Sequence, residues 1–158
     1  MKRVLVAAVL LLLAGCSSDG EARWQTAEVK DLDSGAVVVL GEVLPQTTTI
    51  VTLWSVWCVP CRQELPHLEK LKQSDGAISV VGVNIGDDEA STREFLGELG
   101  VTFANYRDED AALLTALKVP AVPATFIVDA EQRIAWKHLG ALNQEDLSAA
   151  IDQYIEVG

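Results

Sequence analysis

Cys58 and Cys61 stand three apart in the stretch LWSVWCVPCRQELP, residues 53–66, with Val59 and Pro60 between them. Thiols at this spacing have three uses: a structural bridge, half of a metal site, or a pair that cycles between dithiol and disulfide. A structural bridge here closes only a tiny loop, so it restricts the unfolded chain little. A metal site needs more ligands. The third cysteine, Cys16, is remote, and the only histidines are His67 and His138. His67 falls about 240° around a helix from Cys61, so it points elsewhere. Each histidine is read as a surface or packing residue, and no metal is expected. Redox cycling is the favoured use.

The elements that position the pair support it. The run TTTIVTLWS is β-branched and apolar without clean alternation, as in a strand buried on both faces. Residues 59–73 follow, with Leu65, Leu68 and Leu71 at helical spacing. Cys58 therefore sits at a helix start, where unpaired amides and the helix dipole favour a thiolate, the nucleophile of disulfide exchange. Cys61 lies on the same face, one turn on, and is expected to be the more buried of the two. Pro60 suits the first turn, and Pro66 predicts a kink. Trp57 forms an apolar rim beside Cys58, and Trp54 packs inside. Arg62 either favours the thiolate or is an exposed helix residue.

Around this core the chain alternates strands and helices. TAEVKDL and AVVVL flank a turn at Asp33-Ser34-Gly35 and predict a hairpin. AISVVGVNI reads as a second buried strand. Ser91 with Glu94 predicts a capped helix that Gly100 ends, and residues 110–118 read as helical. ATFIVDA and RIAWKHL predict an antiparallel hairpin, and NQEDLSAAIDQYIEV a last helix capped by Asn143. The succession of a hairpin, βαβαα and ββα implies an α/β fold with a mixed central sheet flanked by helices.

The first residues carry a different message. Lys2 and Arg3 precede an apolar run from Val4 to Ala14, the pattern of an export signal, too short for a comfortable permanent span. Leu13-Ala14-Gly15-Cys16 resembles the bacterial lipobox, which implies cleavage before Cys16 and lipid on its thiol. That reading gives a signal peptide over 1–15, a lipidated tether over 16–24 and one domain over 25–158. It also leaves Cys58 and Cys61 as a closed pair. Removing Lys2 and Arg3 takes the formal net charge from −11 to −13. So acidic a domain repels phosphate backbones, and nucleic acid is not an expected partner.

WCVPCRQELP resembles the motif of the membrane-tethered thioredoxin-like proteins of the TlpA/ResA/CcmG (DsbE) group. VVGVNIGDDEASTREFLGELGVTF is similar to their central segment, an αβ insertion that plain thioredoxin lacks. AVPATFIVD matches their segment with a cis-proline, which places that residue at Pro123. The resemblance implies a thioredoxin-like fold and a thiol–disulfide oxidoreductase, with Cys58 attacking, Cys61 resolving and no cofactor beyond their disulfide. It implies that Val122 offers its backbone to an extended substrate, with Trp57, Val59, Pro60 and Pro123 also in contact. The buried acid of thioredoxin corresponds to Thr52 and its lysine partner to Gly82, so that proton relay is missing. Glu64, where the group carries a glutamate, becomes the proton-handling residue.

The expected setting is the bacterial cell envelope, facing the periplasm or cell exterior, with a lipid anchor in the membrane. Expected partners are protein disulfides, such as those of apocytochrome c or oxidase-assembly proteins, and a membrane electron donor. A monomer is expected. The direction expected is reduction. The alternatives are a disulfide-forming oxidase on the same fold, a copper-delivery module of the Sco kind, and a peroxidase.

Overall fold

The computed structural model describes residues 24–74 and 78–155. The export signal, Cys16 and all of the expected tether except Trp24 lie outside the described residues. Trp24 itself corrects the tether boundary. It is 2% exposed and packs in the core against Leu40 and Phe126, so it belongs to the domain.

Seven strands form one mixed sheet. They are β1 (Glu28–Asp31), β2 (Val37–Val39), β3 (Thr49–Trp54), β4 (Ser79–Ile85), β5 (Ala104–Asp108), β6 (Ala124–Val128) and β7 (Ile134–Leu139). Their spatial order is β2-β1-β5-β4-β3-β6-β7. The β3–β4 and β4–β5 pairs are parallel, and all the others antiparallel. Every residue of β3 is buried, which is why its apolar run does not alternate. The helices are α1 (Leu40–Val43), α2 (Val59–Ser74), α3 (Glu89–Leu99), α4 (Ala112–Ala116) and α5 (Gln144–Tyr154). Side chains of α2, α3 and α5 share one core with Ile50, Trp54 and Ile127 of the sheet. Leu40 of α1 and Leu113 of α4 share the core of the opposite face with Leu53 and Phe126.

Both expected hairpins form, and α2 runs through Pro66 to Ser74. Leu40 starts α1 rather than ending a strand. The cap of α3 is Asp88, whose carboxylate accepts from the Ser91 amide; Ser91 lies inside the helix. Gly100 ends α3 in the left-handed region at φ 65°, as a C-terminal glycine does. The residue pattern passes over β5, because Asn105, Arg107 and Asp108 fill three of its five positions. All three are buried, and each has partners. Asn105 meets Trp54, and Arg107 donates to the Asp87 carbonyl. Asp108 accepts from the amides of Ala112 and Leu113 at the start of α4.

Gly82 explains itself in this setting. It pairs with Thr52 on one side and Asn105 on the other. A Cβ there would lie 2.0 Å from Asn105 Oδ1 and 3.0 Å from Trp54 Nε1. Trp54 Nε1 donates to that oxygen at 3.0 Å, and Asn105 Nδ2 donates to the Phe103 carbonyl at 2.9 Å. The asparagine side chain thus occupies the space a residue at 82 would need. Gly82→Ala should displace it and cost about 1–3 kcal/mol in urea unfolding, the scale of buried polar groups left unpaired. In Gly82→Ala/Asn105→Ala the two costs should add to less than their sum. Strict additivity would remove this steric account.

Candidate active site

β3 delivers the chain to the site, and α2 begins there. Cys58 stands immediately before the first helical residue, Val59. The Arg62 amide donates to the Cys58 carbonyl and the Cys61 amide to Cys58 Sγ, at 3.3 and 3.2 Å. The sulfur therefore occupies the place of a helix-capping acceptor. Cys58 and Cys61 are joined as a disulfide, with Cα atoms 5.2 Å apart. Cys61 is the more buried, as expected, but the contrast is small: in the oxidised pair Cys58 is 3% exposed and Cys61 1%. What faces solvent is the rim: Trp57 is 67% exposed and Val59 72%, with Pro60 half-buried between the cysteines.

The turn before Cys58 is fastened to the insertion. Asp87, between β4 and α3, accepts on one oxygen from Ser55 Oγ (2.7 Å), the Val56 amide (2.8 Å) and Asn84 Nδ2 (2.7 Å). Three donors on one carboxylate oxygen fix the path of residues 55–57, and so the presentation of Trp57. Arg62 donates to Glu98 at 3.0 Å and lies 4.5 Å over the Phe95 ring, tying α2 to α3. Trp54 stacks on the same ring from inside, fully buried. Asp87 was not singled out in the sequence.

The Val122–Pro123 peptide bond is cis, as the resemblance implies. Val122 is half-buried and packs against the cores of both sheet faces. Pro123 is buried, and its carbonyl accepts from the Gly140 amide. Among the described residues, no three His, Cys, Asp or Glu side chains cluster as a metal site.

Glu64 is buried beneath α2 at 3% exposure. Its Oε1 accepts from Thr52 Oγ1 at 3.3 Å and, more closely, from Thr125 Oγ1. The two threonines face each other in register on β3 and β6. Oε2 has no hydrogen-bond partner among the described residues. Burial pushes the carboxyl above the ordinary carboxylate range. The Thr125 and Thr52 hydroxyls, the Leu142 amide and His138 offset this only in part. The Leu142 amide faces the carboxyl from outside hydrogen-bond geometry. Thr52 thus supports an acid supplied by the helix. Thr125, the second support, was not singled out in the sequence.

The folded chain binds a proton at Glu64 more tightly than the unfolded chain, where the carboxyl titrates near 4.5. The stability this gives is complete below that value and is lost as pH rises through the raised folded value. Glu64→Gln removes the titration. Between pH 4.5 and 8 the difference in urea-unfolding stability should move toward the variant by about 1–3 kcal/mol. Parallel pH profiles would contradict the buried-acid reading.

The Redoxin family model matches residues 22–154. Thiol:disulfide interchange protein DsbE of Escherichia coli K12 is 32% identical over 132 residues, which cover 80% of this chain and 70% of that one. Thiol-disulfide oxidoreductase ResA of Geobacillus kaustophilus is 26% identical over 104 residues, 65% of this chain and 60% of its own. The match thus spans less than two thirds of the ResA chain, as it does of the Paracoccus denitrificans DsbE homolog at 62%. A secreted Mycobacterium tuberculosis disulfide oxidoreductase homologous to E. coli DsbE has the same fold. Its TM-score is 0.71 at 22% identity, over 83% of this chain and 98% of that one. The chain belongs to the Redoxin family and has a thioredoxin-like fold.

Proposed function

We propose that this protein is an extracytoplasmic thiol–disulfide oxidoreductase that reduces disulfides of partner proteins through Cys58 and Cys61. The observation that carries the reading is the cysteine pair at the start of α2, with the Cys61 amide directed at Cys58 Sγ. That amide and the helix start stabilise a Cys58 thiolate. The thiolate attacks a partner disulfide, a mixed disulfide forms, and one partner thiolate leaves. The Cys61 thiol then gives its proton to Glu64 and attacks Cys58 Sγ. The second partner thiolate leaves, two electrons have moved to the partner, and the enzyme disulfide closes. A membrane electron donor restores the dithiol.

Substrate approaches over Trp57, Val59 and Pro60, with the Val122 backbone before the cis-proline pairing to an extended segment. Candidate substrates are apocytochrome c and oxidase-assembly proteins of the envelope. The names of the DsbE and ResA relatives support thiol–disulfide exchange. Anchoring follows from lipidation at Cys16, with the signal peptide removed.

The direction rests on opposing influences. The buried Glu64 and the acidic chain disfavour a thiolate and push toward reduction. The amide on Cys58 Sγ favours the dithiol and supports the rival reading, a disulfide-forming oxidase. Reduction potential separates them. A value near roughly −270 mV is expected, and one near roughly −120 mV would establish the oxidase. The order of attack has its own check. Cys61→Ser should accumulate a mixed disulfide through Cys58 on non-reducing gels. Accumulation only in Cys58→Ser would reverse the roles.

A further inference from the structure

Glu64 is almost completely buried, yet the cycle above requires it to take up and release a proton on each turnover. A route to solvent is therefore needed. The row of residues beneath α2 supplies one. Thr125 on β6 bonds to Glu64 Oε1 and pairs in register with His138 on β7. Residues directly opposite on neighbouring strands share a face, with Cβ atoms about 4.5–5.5 Å apart. β7 is the outer strand of the sheet, and His138 is half-buried on it, between that row and solvent.

The ring is held in place. It stacks on Trp136, with centroids 5.9 Å apart, and its Nε2 lies 3.0 Å from the Ala141 carbonyl. A carbonyl only accepts, so this contact puts hydrogen on Nε2 and leaves Nδ1 to gain or lose a proton. The same loop brings Leu142 against the Glu64 carboxyl, and His138 is close enough for its charge to act on Glu64. The hydroxyls of Thr52 and Thr125 also face the carboxyl, and Cys61 lies one turn earlier on the same helix.

We propose that His138 carries the Glu64 proton to and from solvent across the Thr125 hydroxyl. This rests on the proton-handling reading of Glu64. When Cys61 resolves a mixed disulfide, its proton passes to Glu64. Once Glu64 carries that proton, the Thr125 hydroxyl turns from donating to Oε1 to accepting from it, and its own hydrogen passes to Nδ1 of neutral His138. The imidazolium then releases a proton to water; no electrons move in these steps. His138 acts through Glu64 and touches neither sulfur's chemistry directly.

The test follows Trp fluorescence in a stopped flow while reduced protein reacts with a disulfide-bridged peptide in dilute buffer. His138→Ala should close its disulfide about tenfold more slowly, and added imidazole should restore most of the rate. His138→Gln, which keeps the bulk of the ring, should be equally slow and equally rescued. Adding either change to Glu64→Gln should slow that variant no further. Wild-type rates in the His138 variants, with Glu64→Gln slow, would overturn the route and leave Glu64 in place. A slow rate that imidazole does not restore would assign His138 to packing. A wild-type rate in Glu64→Gln would instead remove the reading on which the route rests.

Discussion

A carboxyl group buried between a helix and a sheet is costly unless the sheet is built to receive it. Glu64 sets that constraint, and the surrounding residues answer it. Thr52 and Thr125, one on each of two paired strands, place hydroxyls against the same carboxyl oxygen. The arrangement requires α2 to lie in one register over β3 and β6. That same register places Cys58 at the first turn and Cys61 beneath it. The other oxygen has no hydrogen-bond partner among the described residues. A structural acid would be expected to have both oxygens bonded, as Glu69 does farther along α2. There Thr102 and Gln73 bond one oxygen, and the amides of Thr102 and Phe103 bond the other.

The rest of the domain fixes the frame around this acid. The insertion made of α3 and β5 does more than extend the sheet. Through Asp87 it grips the turn before Cys58, and through Phe95, Glu98 and the Trp54–Asn105 bond it holds the β3–α2 junction on either side of the cysteines. The exposed surface beside the disulfide is accordingly small and apolar, Trp57 and Val59, on a backbone that cannot drift. On the proposed function, this gives a fixed pair of sulfurs beside an apolar rim.

Much of this was legible in the residues. The Cys58–Cys61 spacing after a buried strand located the chemistry, and Asn143 and Gly100 marked helix ends that the structure has. The cis bond at Pro123 followed from resemblance alone. The misses share a physical cause. β5 was hidden because its buried positions hold Asn105, Arg107 and Asp108, which are received in part by Trp54, Asp87 and the next helix, 51 and 20 residues away or just ahead. Trp24 was read with a polar tether because its pocket is built from Leu40, Leu53 and Phe126. Thr125 gives no local sign that it faces a carboxyl sixty-one residues earlier. Helix periodicity reports which face is buried, but not which polar groups on it are received by other strands.

On the proposed function, Glu64 and the cysteines form one proton-coupled unit. The most direct measurement is the pH dependence of Cys58 alkylation in the reduced protein, compared between wild type and Glu64→Gln. A carboxylate near a thiol disfavours the thiolate by like-charge repulsion, and two such groups titrate as a pair. Wild type should therefore show two coupled steps, and the variant one step with its midpoint shifted to lower pH. Superimposable curves from the two proteins would contradict the account.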